Sequence, residues 1–209
     1  MYLVFLGANI RSINEYTVRI ICRLGRLEVL QYLVSQGVEI RIEGGNFIAA
    51  ASLSGNLDLL KYLVFLGTDI RADNHIGVES LGMAVRDEIN RSIRGPSCKG
   101  YIDILIYVVS LGADIRAEDD YAVKQASRHG HLETVKYLVS LGADIRAEDD
   151  YAVRYASEYG HLYVVKYLVS LGADIKAKDD YAIKQAGLNG HTDVVEYLES
   201  LSQSFFVKR

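Results

Sequence analysis

Residues 137–153 read YLVSLGADIRAEDDYAV, and nearly the same string stands 30 residues earlier at 107–123 (YVVSLGADIRAEDDYAV) and 30 residues later at 167–183 (YLVSLGADIKAKDDYAI). A period of this size marks a chain built from supersecondary repeats, each too small to bury its own apolar face without a neighbour. The glycine of SLG carries the pattern outward, to Gly7, Gly37, Gly67, Gly112, Gly142 and Gly172 at intervals of 30, 30, 45, 30 and 30. One repeat therefore holds 15 extra residues. A second glycine column follows the first at Gly25, Gly55, Gly130, Gly160 and Gly190, and Gly100 joins it once the insertion is allowed for.

Two glycines per repeat delimit two segments. Between Gly130 and Gly142, Leu132, Val135, Leu138, Val139 and Leu141 recur three and four apart, the spacing of an amphipathic helix. The segment Tyr121–His129 is shorter and follows Asp119 and Asp120, residues suited to capping free amides at a helix start. The glycines stand where a helix ends in a residue of positive φ. The repeat is thus read as helix, tight turn, helix, loop. Within the second helix the column Leu33, Leu63, Val108, Leu138, Leu168, Leu198 reads as core, as do the columns beginning at Leu27 and Ile10. The small column Ala51, Ala126, Ala156, Ala186 marks close helix approach, and acids at Glu28, Asp58, Asp103, Glu133 and Asp193 complement the helix dipole. The tyrosine column Tyr32, Tyr62, Tyr107, Tyr137, Tyr167, Tyr197 is too regular for a recognition surface and reads as scaffold.

A Gly-His turn between two helices, followed by YLVSLGADI and a loop, resembles the ankyrin repeat. GADI or a variant stands at every repeat: GANI at 7, GVEI at 37, GTDI at 67, and GADI at 112, 142 and 172. The phrases EDDYAV and VKYLVSLGAD are also similar to the ankyrin-repeat families of amoeba-infecting giant viruses. Two departures from the ankyrin pattern stand out. The period is 30 rather than about 33, and the phrase opening the first helix is Tyr121-Ala122-Val123-Lys124 rather than TPLH. The missing residues fall where the family builds its hairpin finger. The expectation is an all-α ankyrin-type helical repeat solenoid with short or absent β-hairpins, forming a single repeat domain over 1–209. Its helix pairs are expected at 15–36, 45–66, 75–111, 120–141, 150–171 and 180–201, after a truncated half repeat at 1–14 and before a tail at 202–209. Tyr2, Leu3 and Leu6 would cap one end, and Phe205 and Phe206 the other. The insertion is expected as a helix extension carried by Val78, Leu81, Val85, Ile89 and Ile93, turning back at Arg94–Lys99, so that about 84–99 projects and Cys98 is exposed.

The chain has 209 residues, 50% apolar and 24% charged, with a net charge of −4, which gives no electrostatic case for nucleic acid. Cys22 and Cys98 form no CxxC or ligand cluster, and the apolar stretch before Gly7 is too short for a signal peptide or a membrane span, so a cytoplasmic chain is expected. His131, His161 and His191 recur one repeat apart, on the order of 10 Å, too far to share a metal ion with bonds near 2 Å. They read as hydrogen-bonding loop backbone. No nucleophile elbow, GxxxxGK[ST] or HExxH occurs. No catalytic residue, metal or cofactor is therefore expected.

What varies from repeat to repeat is the surface that carries information. The variable positions are the loop residues Glu118, Glu148 and Lys178, the first-helix pairs Lys124-Gln125, Arg154-Tyr155 and Lys184-Gln185, and the pre-turn pairs Arg128-His129, Glu158-Tyr159 and Leu188-Asn189. The ankyrin resemblance implies that these positions face the concave groove that grips other proteins. A scaffold or adaptor for a protein partner is expected, with neither nucleic acid nor membrane bound. The alternative is a structural protein that self-associates through the truncated N-terminal repeat.

Overall fold

The computed structural model describes residues 13–40, 47–72 and 89–204. The expected caps at Tyr2, Leu3, Leu6, Phe205 and Phe206, and the insertion's Val78, Leu81 and Val85, lie outside them. Among the described residues there are twelve helices and no strand: α1 Glu15–Arg23, α2 Leu27–Ser35, α3 Phe47–Ser54, α4 Leu57–Ala72, α5 Arg94–Lys99, α6 Ile102–Ser110, α7 Ala117–Arg128, α8 Leu132–Ser140, α9 Ala147–Glu158, α10 Leu162–Ser170, α11 Ala177–Leu188 and α12 Thr192–Ser204. This is the all-α repeat fold that the period implies. The chain falls into two compact units, Met1–Pro96 with Asp103–Ala113, and Ser97–Ile102 with Asp114–Arg209.

In the first unit the core is aliphatic: Leu30, Leu33, Leu59, Leu60, Leu63, Leu105 and Val108 are at most 4% exposed. Ala51 and Cys22 are fully buried, which lets α1 and α3 pack closely. Asn56 does two jobs at the turn before α4. Its amide donates to the Gly25 carbonyl (3.0 Å), and its carbonyl oxygen accepts the Leu59 N–H (2.9 Å), an N-cap. The helix α4 runs through Gly67 to Ala72, past the expected stop.

The insertion corrects the expectation most plainly. Arg94–Lys99 is the helix α5, not a turn, and its residues hold the column positions of 124–129. Ser97 is buried like Ser127, and the Cys98 carbonyl accepts a histidine bond as the Arg128 carbonyl does. The extra residues therefore enter upstream of position 94. Proline is tolerated because Pro96 lies in the first turn, where an N–H has no helical partner. Gly95 lets α3 come close: a Cβ there would stand 2.8 Å from Leu53 Cδ2. Ile89 and Ile93 are buried, and Cys98 is half-buried, with burial pushing its thiol pKa up.

In the second unit, three copies of the repeat share one design. Val123, Val135, Leu138, Val153, Val165, Leu168, Val194 and Leu198 make the core, over buried Ala122, Ala126, Ala152, Ala156, Ala182 and Ala186. The Leu132 and Leu162 column is only half-buried, and Thr192 is exposed. The aspartates do not cap their helices as expected. Glu118, Asp119 and Asp120 adopt φ of 57, 54 and 59°, one left-handed turn, repeated at 148–150 and 178–180. That turn aims the last aspartate inward. Asp120 is 3% exposed and its Oδ1 accepts the Asp144 N–H of the next repeat (2.7 Å); Asp150 accepts from Asp174 (2.8 Å). Arg116 and Arg146 close on the same carboxylates at 3.3 and 3.7 Å.

Candidate functional site

The first helices α7, α9 and α11 and the left-handed turns ahead of them bring the variable residues onto one face of the second unit. The left-handed turn exposes backbone carbonyls, and the basic side chain early in each first helix closes them off. Lys124 Nζ donates to the Glu118 carbonyl (3.4 Å) and pairs with Glu148. Arg154 donates from Nε to Asp149 O (2.8 Å) and from Nη2 to Glu148 O (2.9 Å), while Lys184 donates to Asp179 O (2.6 Å). Lys124 and Arg154 are 4% and 8% exposed, so they are brackets for the turn and not surface groups, contrary to expectation. Lys184 is exposed, and Gln125 and Gln185 are half-buried.

The turn tips remain at the surface. Glu118, Glu148 and Lys178 are exposed, and Lys178 pairs with Asp149 at 2.7 Å. That hydrogen bond and the lysine charge hold the Asp149 carboxyl below its ordinary pKa. At the other end of the helices an aromatic cluster forms. Tyr155, where its neighbours have glutamine, stacks on Tyr151 with ring centroids 4.0 Å apart and 19° between planes, and lies 5.8 Å from Tyr181. Arg128 donates to the Tyr159 hydroxyl (2.8 Å), and its guanidinium lies 5.6 and 5.1 Å from the Tyr155 and Tyr159 rings. Arg154 stands 5.2 Å from the Tyr181 ring. The Tyr181 hydroxyl donates to Glu158, and desolvation, with that carboxylate's help, raises its pKa far above the usual tyrosine value. Tyr159 is 43% and Leu188 78% exposed, and His129 and Asn189 are exposed beside them. The Asn189 amide donates to Glu158 O (2.8 Å).

Repeat comparison alone misses Tyr151 and Tyr181, because they sit in a constant column and matter only through what Tyr155 adds between them. It also misses Tyr163, 74% exposed where other repeats carry an acid. The histidine ladder is structural. His131 donates from Nε2 to Cys98 O (2.8 Å) and His161 to Arg128 O (3.0 Å). Their rings lie on the turn glycines: a Cβ on Gly100 or Gly130 would meet them at 2.6 and 2.5 Å. The tyrosine column is half-buried throughout, and burial raises the pKa of Tyr107 and Tyr197. Among the described residues no group of three or more His, Cys, Asp or Glu is placed to hold a metal ion, and no helix is long and apolar enough to cross a membrane.

Paired helices joined by Gly-His turns, with a constant core and a variable first-helix face, define a helical-repeat protein of the binding type. The sequence matches the family of ankyrin repeats (three copies) over residues 97–179 and 126–205. These matches span more than half of the chain, which belongs to the ankyrin-repeat family. Such repeats generally mediate protein–protein interaction and typically form non-enzymatic binding scaffolds. No curated protein matches the chain.

Proposed function

We propose that the protein is an interaction scaffold or adaptor that binds a protein partner across the first-helix face of residues 117–189. The observation that carries this reading is the cluster of Arg128, Tyr155 and Tyr159, side chains that differ from repeat to repeat and stand at the surface or just below it. Tyrosine and arginine concentrate binding energy at interfaces because each offers a large contact area with a polar end. Such a face needs only rigid display, which the bracketed turns and packed core provide. The adaptor is placed in a cytoplasm, that of the host if its origin is viral, a setting that suits two free thiols.

Incorporating a photo-cross-linking benzoylphenylalanine in place of Tyr159 tests this reading in cytosol. A discrete partner protein should be captured. Alanine at Arg128, Glu158 and Tyr159 together should abolish its binding to the otherwise natural chain without loss of helical circular dichroism. Capture of nothing but further copies of the chain would sink the adaptor reading in favour of self-assembly.

A further inference from the structure

Resting on the adaptor reading, we propose that the partner segment is cationic: an extended stretch of a basic protein with arginine or lysine at every third position. The row of turn tips carries Glu118, Asp119, Glu148, Asp149 and Asp179 against one exposed cation, Lys178. The bases behind that row are already engaged. Lys124 holds Glu148 and the Glu118 carbonyl, Arg154 holds two carbonyls, Lys184 holds one, and Lys178 holds Asp149. Asp119 and Asp179 are exposed with no cationic partner among the described residues. The row therefore offers negative charge that only an outside cation can match.

The register follows from the repeat. Neighbouring packed helices lie about 8–10 Å apart, and an extended chain advances about 3.3 Å per residue. Every third side chain of an extended segment thus meets the next tip. The other end of the face fixes which way the segment leans. Tyr159 and Leu188 are exposed there, and Arg128 already lies against the Tyr155 and Tyr159 rings. Apolar side chains of the partner settle at this end, away from Arg128's charge, while its cations face the tips.

Fluorescence anisotropy on the full chain tests the assignment with three labelled peptides: one with arginine at every third position, one of the same composition with its arginines consecutive, and the glutamate counterpart of the first. The periodic arginine peptide should bind about tenfold tighter than either control and weaken as salt rises. Asp119→Asn with Asp179→Asn should weaken it about three- to tenfold, and Tyr159→Ala should weaken all arginine binding. Glutamate binding as tight as arginine, equal binding of the periodic and consecutive peptides, or no effect of the aspartate changes overturns the proposal. Failure of every peptide also overturns it. The cross-link at position 159 then decides separately whether the face binds any protein.

Discussion

At the scale of single residues, each turn glycine answers two demands, and the demands can be separated. Gly130 has φ of +78° and would put a Cβ 2.5 Å from His161 Nδ1, whereas Gly142 has φ of +93° and open space around it. Gly142→Ala should cost about 1–2 kcal/mol, the penalty of a left-handed L-residue. Gly130→Ala should cost more, because the His161 ring must also leave its place; urea unfolding would reverse this reading if the two were equal. The same ring gives a pH dependence. Burial lowers the His161 pKa from 6.5, against the bond to Arg128 O, and charge on His131, His129 and His191 lowers it further. The unfolded chain then takes up a proton at a higher pH than the folded one. Stability should be intact above about pH 6.5 and fall as pH drops below it. His161→Asn should flatten that decline, since Asn56 already makes the equivalent cross-repeat bond to Gly25 O. Loss through Asp149 belongs to a separate window, below its ordinary value of 3.8, because its pKa is lowered and its pair with Lys178 survives until the carboxylate is protonated.

At the scale of elements, the helices were legible because apolar spacing and glycine position state them directly. The left-handed turns were not. Glu-Asp-Asp ahead of a helix carries the composition of an N-cap, and nothing in hydrophobic periodicity records the sign of φ. The first-helix bases were misplaced for a related reason: Lys124 and Arg154 are held by backbone carbonyls, which a sequence does not display. Arg94–Lys99 misled through its Gly-Pro pair, read as a turn although a first helical turn accommodates both. The consequence is measurable at Asp150. Asp150→Ala strands the buried Asp174 N–H and should cost about 1–3 kcal/mol. Asp180→Ala, at the exposed counterpart in the next turn, should cost less than about 0.5 kcal/mol. Equal losses in chemical unfolding would mean the carboxylate does not tie one repeat to the next.

At the scale of the molecule, the period decided the fold before any single residue did, and the repeat-to-repeat differences located the candidate face in the right region. They could not show which of those side chains point outward, because that depends on the turn the chain makes first. A chain whose repeats touch mainly their neighbours should also tolerate the loss of one whole repeat. Deleting residues 143–172 joins Gly142 to Ala173 within an unbroken SLGAD phrase. Asp174 N–H then falls to Asp120 as it now does to Asp150, and His191 comes to rest on Gly130 as it now does on Gly160. The shortened chain should keep cooperative unfolding and its helical content per residue. Its dependence on urea should fall by roughly one-seventh, in proportion to the surface removed. Deleting residues 143–157 instead removes half a period, leads a helix end straight into a turn, and should abolish cooperative unfolding. The whole-repeat deletion also takes out Tyr151, Tyr155 and Tyr159, so a folded product that still bound the arginine peptide at full strength would place the binding face elsewhere.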